Sequence, residues 1–228
     1  MLLLALDTAT PVFSGCLLDE GRVRSEWTVR ARLPGDLPRI GILDENLRRA
    51  GVDIGDIEAL ACTAGPGSFT GLRVGLSLAK GLTNFGKVPL FGVSTLHALA
   101  RTVSPAGQIP VVPCLDARRK QVYAAVYAGE QVLVSEGAYD PADFSAAVTE
   151  QTDSDTLWLG DGARAYRSAF ERRGRRFSAP EFDFPRGCAV AAIAWEAWLR
   201  GERPSSVHLV PRYLRASEAE QKRARSGR

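Results

Sequence analysis

The chain has 228 residues, of which 45% are hydrophobic and 24% are charged, so it has the composition of a globular protein and not of a disordered one. Its longest apolar stretches, such as residues 74–82, are much shorter than the roughly 20 residues of a membrane-spanning helix, which excludes a membrane protein. The net charge is +3, but the residues from Pro211 onward carry six basic and two acidic side chains. The sequence therefore predicts a basic tail, which either contacts nucleic-acid phosphate or only keeps the chain in solution.

The amino terminus and the cysteines indicate the compartment. Residues 1–7 have no basic region before their apolar run, and the run is too short for a signal peptide, so the sequence predicts a first β-strand here. The four cysteines are scattered and form no Cys-x-x-Cys pair, which is typical of reduced thiols in a cytosolic protein. We therefore expect a cytoplasmic location.

Turn residues and apolar periodicity predict the elements of the first hundred residues. The β-rich runs at 2–7, 13–18 and 22–29 are separated by turn signals and predict an antiparallel meander. Apolar residues at helical spacing then predict a helix that ends at Gly51. The next predicted elements are a strand at 59–63, a helix at 70–84, a strand at 90–93 and a helix at 94–103. The predicted order is βββαβαβα.

The second hundred residues repeat this opening. Asp7 ends the first predicted strand of the first set, Asp116 ends the first strand of the second set, and both are followed by a turn and another β-rich run, which indicates a duplicated domain. The later predicted elements are strands at 109–115, 121–127, 131–139 and 156–159, and helices at 141–148, 163–173 and 188–200. The sequence thus predicts an α/β fold with mixed sheets. Its predicted parts are a first lobe at 1–104, a second lobe at 105–216 and a flexible basic tail at 217–228.

The segment 65–73 is the most informative, because it places three glycines where a buried strand passes into a helix. Backbone N–H groups at the start of a helix attract anions, so Gly67 and Ser68 are candidates for contact with a phosphate or an acidic partner group. The segment does not match the Walker A pattern, the dinucleotide-binding pattern or a nucleophile elbow. The alternative is a turn in which Ser68 or Thr70 caps the helix.

Two predicted helices carry small residues beside apolar ones. The helix after the glycine segment is apolar nearly all round, so it is buried either by its own fold or by a second protein. The helix before it also has a small residue among its apolar side chains, which favours a docking surface formed by both helices. The candidate interface residues are Ile40, Gly41, Leu43, Asp44, Leu47, Gly71, Val74, Gly75, Leu78 and Ala79.

Histidine chemistry has little support in this sequence. His97 and His208 are the only histidines, and they lie far apart without a metal-binding spacing. A metalloprotease therefore lacks its ligands, and we predict no metal site.

A nucleotide site is a stronger alternative. Asp7 and Asp116 could flank a magnesium-nucleotide, as carboxylates at strand ends do when they face a cleft. The turn 116–120 has no glycine, so its side chains obstruct a phosphate, although its three cations could attract an anion in another way. Further candidates for nucleotide contact are Thr8, Gly160 and Gly162, and for the two glycines an ordinary left-handed turn is an equal alternative.

In combination, six segments resemble the TsaB (YeaZ) family. They are residues 4–10, 65–73, 92–96, 115–118, 122–123 and 211–215. The resemblance runs from the first strand to Arg215, and the glycine segment followed by Asp-Ala-Arg makes it specific.

The resemblance implies an actin-like, sugar-kinase-like (ASKHA) fold with two duplicated lobes. It implies a non-catalytic role in forming threonylcarbamoyladenosine beside the tRNA anticodon, in tRNAs that read codons beginning with A. The implied partners are the catalytic paralogue TsaD and the ATPase TsaE, with a homodimer when the chain is alone and with tRNA reached through the complex. ATP, ADP and metal would belong to the partner subunits, so no cofactor is expected on this chain.

In the family, the partner docks on the helices that correspond to residues 37–50 and 70–84. The chain departs from the family pattern at residues 32–36, where members commonly show a His-Ser segment. The competing hypothesis is a nucleotide-dependent phosphotransferase or ATPase of the same fold, which would depend on Asp7.

Overall fold

The computed structural model describes residues 1–30, 38–83, 88–103, 109–152 and 155–215. The first half contains β1 (Leu2–Asp7), β2 (Val12–Asp19), β3 (Arg22–Arg30), α1 (Arg39–Arg49), β4 (Ala59–Gly65), α2 (Phe69–Leu82), β5 (Leu90–Ser94) and α3 (Thr95–Arg101). The second half contains β6 (Val111–Arg118), β7 (Gln121–Ala128), β8 (Gln131–Tyr139), α4 (Pro141–Gln151), β9 (Thr156–Leu159), α5 (Asp161–Ala165), α6 (Arg167–Phe170), β10 (Arg175–Phe177) and α7 (Gly187–Leu199). Short 3-10 helices lie at Ile54–Asp56 and Pro180–Phe182.

The strands form two five-stranded mixed sheets with the same topology. The first sheet has the order β3-β2-β1-β4-β5 and the second has the order β10-β9-β6-β7-β8. In each, the first strand pairs antiparallel with the second and parallel with the fourth. The predicted order of the first half and the predicted duplication are therefore confirmed.

One predicted helix is wrong. The segment 163–173 forms two short helices that break at Tyr166, where φ is −112°. The strand β10 that follows was not predicted, because its three residues are too few for an alternating pattern to show. Strand β10 begins after the left-handed turn at Gly174 and forms through parallel pairing with β9.

Both faces of the first sheet are buried. In β1, Leu4 and Leu6 face the side covered by α1 and α2, while Leu3 and Ala5 face the side covered by α7. Strands covered on both faces read as continuous apolar runs, and this explains the opening sequence of the chain.

The last helices of the two halves, α3 and α7, contact each other, and each packs on the sheet of the opposite half. Leu96 and Leu99 of α3 pack on the second sheet, whereas Val190 and Ala194 of α7 pack on the first. The two sheets fall on either side of the boundary predicted near residue 104, but α7 covers the sheet of the opposite half.

Short contacts fix the start of α7 to the first sheet. The Arg186 side chain and the Cys188 N–H both donate to the carboxylate of Glu26 on β3, the second at 3.1 Å. A Cβ added at Gly187 would lie 2.2 Å from the carbonyl carbon of Gly15. Only glycine permits this approach of the helix to β2.

The last described segment, residues 204–215, runs back along the first half. The Pro204 carbonyl accepts a hydrogen bond from the Leu90 N–H at 3.2 Å, and the Arg212 N–H donates to the Ala64 carbonyl at 2.6 Å. We call residues 204–215 the C-terminal segment.

Three features of the sequence fall outside the described residues: the departure from the family pattern at 32–36, the far end of the helix predicted at 70–84, and the basic tail at 217–228. Within the described part of the chain, no helix is long and apolar enough to span a bilayer.

Candidate functional site

Asp7, at the end of β1, is completely buried. Its Oδ1 accepts hydrogen bonds from the Thr63 hydroxyl at 2.6 Å and the Ala9 N–H at 3.1 Å, while its Oδ2 is buried without a partner among the described residues. Burial raises the pKa of Asp7 to about 7, against the smaller lowering effects of Thr63 and Ala9. The carboxylate of Asp7 is thus closed off from solvent by the fold, and its contact with a nucleotide stays a prediction.

The small residues of α2 lie directly on the end of β1. The Thr8 hydroxyl donates to the Gly71 carbonyl at 2.8 Å. A Cβ added at Gly71 would lie 2.1 Å from the Thr8 carbonyl oxygen, and one at Gly75 would lie 2.0 Å from the Thr8 hydroxyl oxygen. Ala79, one turn further, is fully buried. Burial by the chain's own fold therefore accounts for this ridge. Gly71, Gly75 and Ala79 are not exposed on the predicted docking surface.

The glycine segment packs on the loop that follows β1. The Ser68 N–H donates to the Ala9 carbonyl at 2.8 Å, and a Cβ added at Gly67 would lie 2.5 Å from the same oxygen. The Ser68 hydroxyl accepts from the Gly71 N–H at 3.2 Å and caps α2. Of the two capping residues predicted, Ser68 is the one that caps the helix, and it satisfies a donor that an anion would otherwise contact.

We expect Ser68→Ala to lower the free energy of unfolding by about 1 kcal/mol, because the Gly71 N–H loses its partner. Urea denaturation measures the change. Thr70→Ala, in the same exposed first turn, is the matched control and should stay within about 0.5 kcal/mol of the parent chain. Equal losses in the two variants would contradict the assignment of Ser68 as the cap.

The corresponding turn in the second half also holds its residues by close contacts. A Cβ added at Gly160, where φ is +100°, would lie 2.2 Å from the Cys114 carbonyl oxygen. One added at Gly162 would lie 2.6 Å from the carbonyl carbon of Leu115. Both glycines therefore allow the start of α5 to approach β6, and close packing alone explains their presence.

Asp116 lies beside these glycines. Its N–H donates to Asp161 Oδ1 at 3.0 Å, and its own carboxylate accepts from the Arg118 N–H at 2.8 Å and from Arg118 Nη1 at 3.1 Å. The predicted site residues are thus brought together in two groups, one at the end of β1 and one at the end of β6.

Part of the predicted docking surface is exposed. The side chains of Ile40 and Val74 are 71% and 39% exposed, and Gly41 and Asp44 are exposed as well. Leu78 is half-buried. These residues remain available to a partner on α1 and α2.

Two leucines of the predicted surface belong to the core. Leu43 and Leu47 are 3% and 6% exposed and pack with the leucines of β1. They hold α1 on the first sheet, so a docked protein would not contact them directly.

Glu136 was missed by the sequence reasoning. Its carboxylate accepts hydrogen bonds from the Ser94 hydroxyl, from the Tyr127 hydroxyl at 2.6 Å and from Arg212 Nη1 at 2.8 Å. It therefore joins the start of α3, the second sheet and the C-terminal segment. No local signal could have found it, because Ser94 and Arg212 lie 42 and 76 residues away along the chain.

The described residues contain no cluster of three or more His, Cys, Asp or Glu side chains that could hold a metal ion. His97 is stacked on Tyr127 with 5.2 Å between the ring centroids, and burial lowers its pKa. Its contacts are those of a structural histidine.

Comparisons of sequence and of structure both find known proteins that are similar to this chain. Residues 39–186 match the family model described as TsaD: tRNA N6-adenosine threonylcarbamoyltransferase. The tRNA threonylcarbamoyladenosine biosynthesis protein TsaB of Escherichia coli is 30% identical over 226 residues, which cover 96% of each chain. The solved structure of YeaZ from Pseudomonas aeruginosa has a TM-score of 0.81 and 29% identity, and the match covers 93% of this chain and 99% of that one.

A more distant structure shows the breadth of the fold. The activator of the 2-hydroxyisocaproyl-CoA dehydratase from Clostridium difficile, solved with bound ADPNP, has a TM-score of 0.51 and 12% identity, with 88% of this chain and 97% of that chain covered. At this identity the likeness concerns the fold alone. Together with the duplicated sheets, it confirms the predicted actin-like fold.

Proposed function

The chain belongs to the TsaB family of tRNA threonylcarbamoyladenosine biosynthesis proteins, and from this membership we propose that it is a non-catalytic subunit that binds and supports the catalytic TsaD subunit. In this proposal it acts in the cytoplasm on the pathway that modifies the adenosine next to the anticodon. TsaE would join the complex, a homodimer would form when TsaD is absent, and nucleotide and metal would be bound by the partner subunits.

The exposed face of α1 and α2 carries this proposal. Ile40 and Val74 are branched apolar side chains that this chain leaves largely in water, although the helices around them pack tightly on the first sheet. α1 and α2 cover the same face of the first sheet, and exposed apolar side chains on both helices favour the docking of a second protein. Asp44 on the same face would lie at the rim of the contact and add charge specificity.

The burial of Asp7 at the end of β1 favours a subunit without catalytic activity of its own. A carboxylate that binds a magnesium-nucleotide must be open to it, whereas Asp7 is fully buried. It lies beneath the loop after β1 and the helix α2 after β4. Asp116, in the equivalent position, is engaged by Arg118. The arrangement favours structural roles for both residues.

Binding of purified TsaD by calorimetry tests the proposal. We expect Ile40→Asp and Val74→Asp each to weaken association at least about tenfold, because a charge would be buried in an apolar contact. Circular dichroism and urea denaturation show whether the variants remain folded.

Val132→Asp is the matched control. Val132 is 49% exposed on β8 of the second sheet, away from α1 and α2, so this variant should bind TsaD like the parent chain. Unchanged association in the two helix variants would exclude this face as the docking surface. Threonylcarbamoyl transfer or ATP turnover by the chain alone would overturn the non-catalytic role and favour the competing enzyme hypothesis.

A further inference from the structure

The C-terminal segment lies along one side of α2. Near the end of the helix, Lys80 Nζ donates to the Val207 carbonyl at 3.4 Å, and near its start Arg73 Nε donates to the Tyr213 hydroxyl at 3.2 Å. Phe69, Arg73 and Lys80 follow one another at spacings of four and seven residues, which places them on the same side of the helix. The segment therefore forms a second ridge beside α2.

Close contacts hold the segment from its inner side. A Cβ added at Gly92 would lie 2.3 Å from Cδ1 of Leu209, so this leucine packs directly on β5. A Cβ added at Gly65 would lie 2.4 Å from the Arg212 carbonyl oxygen, and the Arg212 guanidinium donates to Glu136 at 2.8 Å. These contacts fix the position of the segment relative to both sheets.

A stack of two aromatic rings and one guanidinium joins α2 to the segment. The ring centroids of Phe69 and Tyr213 are 4.9 Å apart, and Arg73 Cζ lies 3.9 Å from the centroid of the Phe69 ring. All three side chains are nevertheless exposed. Because they hold one another in place, they lose little conformational entropy when a partner covers them. Aromatic and Arg side chains are also the types that most often anchor protein interfaces.

Exposed apolar side chains are concentrated on these two elements. Of the ten large apolar side chains that are exposed in the described part of the chain, half lie on α2 or the C-terminal segment. These are Phe69, Val74, Val207, Val210 and Tyr213. Grouped apolar side chains at the surface indicate a contact with another protein.

We propose that TsaD also contacts the C-terminal segment, with the stack of Phe69, Arg73 and Tyr213 as an anchor of the interface. The inference rests on the proposed function, in which TsaD docks on Val74 of the same helix. Arg73 directly precedes Val74, and both are exposed, so a protein that covers the outer face of α2 meets the stack as well. The docking surface then extends beyond the two helices to a segment from the far end of the chain.

RNA is the other class of partner, because bases stack on aromatic rings. An RNA surface also needs several exposed cations that contact phosphates. The stack contains one cation, Arg73, whose guanidinium lies over the Phe69 ring and donates to Tyr213. The apolar side chains around the stack match a protein surface, so TsaD fits better.

Calorimetry with purified TsaD tests the inference on the full-length chain. We expect Val210→Asp and Tyr213→Ala each to weaken association at least about tenfold, because the first buries a charge in an apolar contact and the second removes an anchor ring. Tyr213→Phe keeps the ring and loses only an exposed hydrogen bond, so it should bind within about threefold of the parent chain. Urea denaturation shows whether the variants are folded.

Leu199→Asp is the matched control. Leu199 and Val210 are both 67% exposed, but Leu199 ends α7, which covers the opposite face of the first sheet from α2. This variant should bind TsaD like the parent chain.

Weaker binding by Val210→Asp and Tyr213→Ala, with unchanged binding by Leu199→Asp, supports the inference. Parent-like binding by the two folded variants overturns it, and if Tyr213→Ala does not fold, Val210→Asp alone decides. The inference is also overturned if the two variants lose affinity only for an unmodified tRNA transcript in fluorescence anisotropy, which would identify an RNA surface.

The inference and the proposed function fail in different ways. If Ile40→Asp weakens association and the two segment variants do not, the inference alone is wrong. If the parent chain does not bind TsaD at all, both are wrong.

Discussion

Gly75→Val is expected to lower the free energy of unfolding by about 3 kcal/mol or more. A Cβ at this position would lie 2.0 Å from the Thr8 hydroxyl oxygen, far inside van der Waals contact. Overpacking of a core typically costs about 1 to 3 kcal/mol. The hydrogen bond from Thr8 to the Gly71 carbonyl would be lost as well, at a further cost of about 1 kcal/mol.

Thr8 has little room to relieve this clash. It is 2% exposed, and its hydroxyl is directed toward α2 by its hydrogen bond. The helix would have to move away from β1, and this movement would loosen the packing of Leu76 and Ala79 against the first sheet. Urea denaturation at neutral pH measures the loss.

Gly81→Ala is the matched control for this prediction. Gly81 lies on the same helix, but nothing is within 4 Å of the Cβ that would be added there. Alanine should therefore stabilise the chain by about 0.5 to 1 kcal/mol through helix propensity. If Gly75→Val were as stable as Gly81→Ala, α2 would not pack on β1 as closely as the contact between Gly75 and Thr8 requires.

Asp7→Asn is expected to abolish a loss of stability that the parent chain undergoes between acidic and neutral pH. The pKa of the Asp7 carboxyl is 3.8 when exposed and about 7 when folded, because burial disfavours the charged form. The folded state therefore keeps the proton that the unfolded state has already released. The stability contributed by Asp7 is fully present below about pH 4 and falls as the pH rises to about 7, where it levels off.

The size of the effect follows from the pKa difference. One pKa unit corresponds to about 1.4 kcal/mol, so the loss is on the order of a few kcal/mol between pH 4 and pH 8. Asparagine retains an oxygen to accept from Thr63 and Ala9 but carries no charge to bury. The variant should thus be more stable than the parent chain at pH 8, with a smaller difference at pH 5.

Urea denaturation at several pH values measures both profiles, and their difference isolates Asp7 from the other titrating groups. Asp44→Asn removes an exposed carboxylate from α1 and should leave the pH profile of the parent between pH 5 and 8 nearly unchanged. Parallel profiles for the parent chain and Asp7→Asn would show that the Asp7 carboxyl is not protonated in the folded state.

Much of the local structure follows from short-range chemistry. The apolar runs and turn residues of the first thirty residues predict the meander β1 to β3. Ser68 and Thr70 at the start of the apolar helix predict a cap, which Ser68 provides. The second set of strands, ending its first strand in Asp116, indicates the duplication. These features depend on neighbours a few residues apart, so they can be recognised in the sequence.

The geometry of the candidate site depends on contacts between distant parts of the chain, so the sequence could not predict it. The ridge of Gly71 and Gly75 is consistent with a docking face or with burial, and only the position of Thr8 shows that the ridge lies inside the fold. Likewise, the sequence gives no indication that Glu136 joins Ser94 to Arg212.

The sequence by itself therefore determined the element order of the first half, the duplicated α/β architecture and the family. Only the tertiary structure decided that α7 covers the opposite sheet, that Asp7 is completely buried, and that Ile40 and Val74 remain exposed. The physical reason is that periodicity shows a helix or strand has an apolar face, while the chain's topology determines which element covers that face. An apolar residue is assigned to the core or to an interface only when its covering partner is known.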